Sequence, residues 1–196
     1  MTRSQLPNAI TVARMVMALP LLWLLVTAQY RSALVLALVA GATDVLDGFL
    51  AKRNGWQSVL GGILDPIADK LLLSVCFLGL WGSLQLPTWL VATIIGRDLV
   101  VALGAFAFWR ATGDLKPSPT GLSKAATLSQ LLLVALVLAH LAGLDLLQRW
   151  VQPLMLATAA ATVLSGLDYV VSYTLRAWRG TSSRMRPTST SQSRRK

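Results

Sequence analysis

The chain has 196 residues, 55% of them hydrophobic and 13% charged, with a mean hydropathy of +0.61, a balance that excludes an ordinary soluble domain and points to a membrane protein. A net charge of +10 would suggest nucleic acid in a soluble protein. Here much of it lies in or just before a polar C-terminal tail, at Arg176, Arg179, Arg184, Arg186, Arg194, Arg195 and Lys196, where anionic headgroups of membrane lipids are the expected neighbours and no nucleic-acid partner is implied.

Apolar runs long enough to cross a bilayer, about 17–25 residues each, recur six times, near residues 10–28, 32–47, 61–81, 87–109, 122–142 and 150–175. The first ends in Val26-Thr27-Ala28, a passable small-residue cleavage site. Its apolar stretch nevertheless exceeds the roughly 7–15 residues of a signal peptide and a second span follows at once, so a retained helix is expected. Linkers are short and no internal repeat is evident. The expected fold is all-α, a polytopic bundle of six transmembrane helices forming one membrane domain over residues 1–179. A basic tail over residues 180–196, rich in Ser, Thr and Arg, is expected to be disordered.

Loop charges give an orientation. Arg3, Lys52, Arg53, Arg110, Lys116, Lys124 and the tail fall on one side, and the other side has only Arg31 and Arg149, so both termini are expected in the cytoplasm. Most of the seven tryptophans lie near span ends, as interface anchors do. His140 reads as an interfacial or packing residue, and the single cysteine, Cys76, as core packing without a disulfide.

Half of the eight acidic residues, all of them aspartates, gather between residues 44 and 69. An aspartate at the centre of a membrane helix costs about 2.5–3.5 kcal/mol on insertion scales, and four together also repel one another. Lys52 and Lys70 offset only part of that charge, so the sequence asks for a cation from outside. Asp44, Asp47, Gly48 and Ala51 stand at i, i+3, i+4 and i+7, one face of a helix, and Gly61, Asp65 and Asp69 at i, i+4 and i+8, one face of the next. A hairpin of these helices can bring the four carboxylates together as an oxygen-only site suited to Mg2+ or Mn2+. Gly48, Ala51 and Gly61 leave a trough where a phosphate-bearing group can approach the backbone. Small-residue helix packing would explain the glycines alone, but not the acids. A carboxylate-lined cation transporter is the competing reading; it predicts acids spread along a pathway rather than clustered at one end.

The segment Asp44-x2-Asp47-Gly48-x2-Ala51-Lys52-x8-Gly61-x3-Asp65-x3-Asp69 resembles the motif of the CDP-alcohol phosphatidyltransferase family, Asp-x2-Asp-Gly-x2-Ala-Arg-x8-Gly-x3-Asp-x3-Asp, at seven of eight fixed positions. The departure is Lys52, where the family usually has arginine. Pro7-Asn8-x2-Thr11-x2-Arg14, Asp65-Pro66-x-Ala68-Asp69-Lys70, Gly96-Arg97-Asp98, Ser123-Lys124-x2-Thr127-x2-Gln130 and Ser165-Gly166-x-Asp168-Tyr169 are also similar to family patterns.

The resemblance implies an enzyme in which an acceptor hydroxyl attacks the lipid-side phosphorus of CDP-diacylglycerol and CMP is released. It implies that Asp44, Asp47, Asp65 and Asp69 ligate the metal, that Asp69 is the general base, and that Gly48, Ala51, Lys52 and Gly61 border the CDP moiety. The acceptor is expected to carry a phosphate, with Arg97, Arg110, Lys116 and Lys124 as candidates to bind it; Arg97 can alternatively pair with Asp98 or a motif aspartate. Arg97-Asp98, Lys116-Pro117-Ser118-Pro119 and Ala126 lean toward the branch whose acceptor is phosphatidylglycerol, yielding cardiolipin; glycerol 3-phosphate is the alternative acceptor. Similar proteins form homodimers. With no Arg- and Ser-rich amphipathic leader, a bacterial cytoplasmic (inner) membrane is the expected location, with the active site facing the cytoplasm.

Overall fold

The computed structural model describes the backbone of residues 5–54, 59–112 and 121–184, and the side chains of residues 12–43, 67–107, 110 and 121–172. Among the described residues every regular element is helical: α1 (Gln5–Val26), α2 (Tyr30–Asn54), α3 (Val59–Gly82), α4 (Thr88–Thr112), α5 (Gly121–Leu141) and α6 (Gln148–Arg184), with a single 3-10 turn, Asp145–Leu147, leading into α6.

Each expected apolar run is contained in or nearly coincides with one of these helices. The largest difference is at the C-terminal end, where α6 continues through Gly180 to Arg184, into the segment expected to be disordered. Adding residues to a formed helix requires no new nucleus, so a polar extension can follow an apolar span. Residues 185–196, the rest of the expected tail, lie outside the described residues.

Successive contacts arrange the helices as a ring. α1 packs between α2 and α3, α2 meets α5, α5 meets α6, α6 meets α4, and α4 returns to α3, while α5 also touches α3 across the bundle. The outward helix surfaces are apolar, unlike those of a soluble protein. On α1, Val12, Val16, Leu19, Trp23 and Val26 form an exposed stripe, and Leu99, Val100, Leu103 and Phe106 do the same on α4. The buried set includes Arg14, Arg97, Gln130, Thr158, Thr162 and Ser165. Apolar residues outside and hydrogen-bonded polar side chains inside suit lipid as the solvent.

Three described stretches, Thr88–Ala107, Gly121–Leu141 and Asp145–Ser172, are long and apolar enough to cross a membrane, and Val12–Val26 and Tyr30–Thr43 are shorter apolar stretches. The chain is a membrane protein, all-helical among the described residues.

The bundle has two chemically distinct halves. Leu21 and Leu25 near the end of α1, Ala33 near the start of α2, Phe77 and Leu80 near the end of α3, Leu90 and Ile94 early in α4, and Leu133, Val134, Val137 and Leu138 late in α5 form the apolar core. Close approach fixes α1 against α3 here, because a Cβ on Gly79 would stand 2.7 Å from Leu25 Cδ1 and 2.8 Å from its Cβ.

At this end α1, α3 and α5 stop in the same way. Gln29 N–H donates to Leu24 O (2.8 Å), Gln85 N–H to Leu80 O (2.9 Å) and Leu144 N–H to Ala139 O (3.1 Å), each closing over a left-handed residue, Ala28, Leu84 or Gly143. Arg31 Nε donates to Ala142 O (2.9 Å), placing a cation at the negative end of α5. The polar residues lie toward the opposite half.

Candidate active site

The backbone places Asp44, Asp47, Gly48, Ala51 and Lys52 in the last three turns of α2, and Gly61, Asp65 and Asp69 in the first three turns of α3. The helical spacing read from the sequence therefore holds on both segments. The side chains of Asp44, Asp47, Ala51, Lys52 and Asp65, and any contact at Gly48 or Gly61, lie outside the described residues, as does Lys116 altogether. Asp69 is the motif aspartate whose side chain is described.

Asp69 and its neighbour Lys70 open a chain of ionic contacts. Successive residues on a helix point about 100° apart, and α3 is flanked by α1 on one side and α4 on another. Asp69 accordingly meets α1, where Arg14 Nη1 donates to its Oδ1 at 2.6 Å. Lys70 meets α4, where its ammonium contacts the Asp98 carboxylate.

The same offset operates on α4. Asp98 turns to α3 while Arg97 turns inward, its Nη1 donating to Asp98 Oδ1 at 2.9 Å, and its Nη2 to Ser123 Oγ on α5 at 2.7 Å and to Ser165 Oγ on α6 at 2.5 Å. Gly166 lies beside this arginine; a Cβ there would meet Arg97 Cγ at 3.4 Å, close to an ordinary contact. The close approach of α4 and α6 is at Gly104, where a Cβ would stand 2.9 Å from Tyr169 Cε1.

Hydrogen bonds from Gln130 Nε2 to Thr162 Oγ1 (3.1 Å) and from Thr158 Oγ1 to Ser129 O (3.2 Å) join α5 to α6 behind that network. The three outer sequence patterns on α4, α5 and α6 are thus parts of one polar interface that meets at Arg97.

The candidates for an acceptor phosphate separate by environment. Arg97 is 7% exposed and its guanidinium already bonds three side chains. Arg110, in the last turn of α4, and Lys124, in the first turn of α5, are exposed. Lys124 borders an open groove of about 400 Å³ with Ser123, Thr127, Leu128 and Leu131, next to the serine that Arg97 holds.

Two partnerships are new. Arg14 entered the sequence reading only as the end of a short pattern, although it is the one charged residue in α1, and an ionisable group in a membrane span calls for a partner. Lys70 was expected to offset the motif aspartates; its described ion pair is instead with Asp98. His140 is a packing residue near a helix end, its Nδ1 3.8 Å from Asp145 Oδ1. Trp23, Trp81, Trp89 and Trp150 are exposed near helix ends, as membrane anchors are.

Among the described residues, the nearby cations Arg14 and Lys70 pair with Asp69 and Asp98, and the sequence places four aspartates in the two successive helix ends. Such a set can bind a hard divalent cation and can take a proton from a hydroxyl.

The comparisons with known proteins agree with this chemistry. A family model described as CDP-alcohol phosphatidyltransferase matches residues 4–164. The chain is 31% identical over 186 residues to a chloroplastic CDP-diacylglycerol--glycerol-3-phosphate 3-phosphatidyltransferase 1 of Oryza sativa subsp. japonica, covering 86% of this chain and 56% of that protein. It is 36% identical over 152 residues to a cardiolipin synthase (CMP-forming) of Homo sapiens, covering 68% of this chain and 50% of the relative. With a CDP-diacylglycerol--glycerol-3-phosphate 3-phosphatidyltransferase of Pseudomonas fluorescens it shares 37% identity over 150 residues, 69% of this chain and 72% of the other. The chain spans about half the length of the rice and human relatives. The matched segment contains both aspartate-bearing helix ends and Arg97 with Asp98 and Ser123, stopping just before Ser165, and the chain belongs to the CDP-alcohol phosphatidyltransferase family.

Proposed function

We propose that the protein transfers a phosphatidyl group from CDP-diacylglycerol to a phosphate-bearing glycerol acceptor in phosphatidylglycerol or cardiolipin synthesis. The observation that carries this reading is Asp69: a half-exposed carboxylate in the family motif, with one oxygen held by a buried arginine of a neighbouring helix.

In the proposed reaction the acceptor hydroxyl oxygen forms a new bond to the lipid-side phosphorus. Its proton passes to the Asp69 carboxylate as the phosphorus–oxygen bond to CMP breaks, the bonding electrons leaving with the CMP phosphate. The donor set of Asp44, Asp47, Asp65 and Asp69 is oxygen-only, and Lys70 is engaged by Asp98, so the residues fit Mg2+ or Mn2+. The bound ion supplies neutralisation of charge on the pyrophosphate. Gly48, Ala51 and Gly61 are proposed to border the CDP moiety and Lys52 to contact it. Six spans, with both termini and the aspartates at the cytoplasmic face, follow from the positive-inside reading.

Phosphatidylglycerol is the acceptor favoured here. Arg97-Asp98, Lys116-Pro117-Ser118-Pro119 and Ala126 lean toward the branch that uses it; the open groove beside Lys124 is lined almost wholly by apolar surface. Glycerol 3-phosphate is the second reading, favoured by the extent of the match to the Pseudomonas relative. Purified protein given CDP-diacylglycerol, Mg2+ or Mn2+, and one acceptor at a time should form cardiolipin with phosphatidylglycerol. Phosphatidylglycerophosphate formed only from glycerol 3-phosphate would assign the other branch.

A further inference from the structure

Arg14 is the only charged residue of α1, is 2% exposed, and spans the α1–α3 interface to donate to Asp69 Oδ1 at 2.6 Å. A buried guanidinium has few arrangements open to it. It sits one helical turn from the buried Ala18 and in line with Leu21 and Leu25, whose contact with Gly79 sets the spacing of the two helices. Asp69, in contrast, has a side chain 50% exposed, an environment that by itself allows a carboxylate several rotamers. The contact thus joins a rigid donor to one oxygen of a half-exposed carboxylate.

We infer that Arg14 is a positioning residue for the reaction, holding the Asp69 carboxylate in the one orientation from which it takes the acceptor's proton. This rests on the reading of Asp69 as the base. The donor geometry matters as well as the charge, because an arginine presents planar N–H groups in a fixed fork while a lysine presents a rotating point charge. The apolar packing between α1 and α3 acquires a catalytic consequence: it fixes the height at which Arg14 reaches across.

The test is a double-mutant cycle on Arg14→Gln and Asp69→Asn in CMP release from CDP-diacylglycerol, with residual rates read in single-turnover incubations. Arg14→Lys is carried in parallel because it retains the buried charge if Arg14→Gln fails to fold. Loss of an orienting partner typically costs about 10- to 100-fold, and this loss is expected in kcat for either Arg14 variant, with the KM for CDP-diacylglycerol changed less than about threefold. The double variant should be no slower than Asp69→Asn alone, as residues acting as a unit are non-additive.

Multiplicative losses, or a folded Arg14→Lys with unchanged kcat, would overturn the inference while leaving the base assignment standing. Near-normal turnover by Asp69→Asn would overturn the base assignment and this inference with it.

Discussion

Asp69→Asn is expected to reduce phosphatidyl transfer by about 10²- to 10⁴-fold, the usual contribution of a positioned general base, while CDP-diacylglycerol binding changes little. The substitution preserves shape, and an asparagine oxygen can still accept from Arg14, so the α1–α3 contact of 2.6 Å has a replacement acceptor. What is lost is the ability to hold the acceptor's proton. Measuring CMP release alongside equilibrium binding of CDP-diacylglycerol separates the two. Near-normal turnover would remove Asp69 from the role of base, and loss of donor binding in step with turnover would make it a substrate-binding residue instead.

The second large effect is expected in stability. Arg97→Ala removes hydrogen bonds to Asp98, Ser123 and Ser165 together, and strips a partner from an Asp98 side chain that is 17% exposed. Asp98 keeps Lys70 as a partner, so the cost lies below the about 3–5 kcal/mol of an orphaned buried charge. At roughly 2–4 °C per kcal/mol for a chain of this size, unfolding in detergent should shift downward by several degrees. Arg97→Lys should recover only part of this loss, because a point charge cannot reach two helices and its own neighbour at once. An unchanged midpoint with a raised acceptor KM would place Arg97 in the acceptor pocket rather than at the centre of the α4–α5–α6 interface.

Much of the helical framework was legible in the sequence because a membrane helix is announced by the length of its apolar run, and each of the six runs corresponds to a helix. The far end of α6 was not legible, since Gly180 and the Ser and Thr residues after it have no apolar period from which to infer helix. The aspartate pattern was legible because carboxylates at helical spacing in an apolar context have few structural explanations.

The partnerships around it were harder to read. Arg14 and Asp69 are 55 residues apart and Lys70 and Asp98 28 apart, and no spacing rule specifies which helices become neighbours. Ser123 and Ser165 carried still less signal, because a serine in a membrane helix usually bonds its own backbone. Their function as acceptors for Arg97 depends on α5 and α6 both coming within reach of its side chain, 26 and 68 residues along the chain.

The most direct test of the account is CMP release by the purified protein from CDP-diacylglycerol with phosphatidylglycerol present, with Mg2+ or Mn2+ supplied and then withdrawn by a chelator. The account predicts metal-dependent CMP formation matched by an equal amount of phospholipid product, abolished by chelation and restored when the ion returns. Transfer that continues without a divalent ion would contradict the proposed carboxylate site, and folded protein that forms no CMP with phosphatidylglycerol or with glycerol 3-phosphate would contradict the proposed reaction.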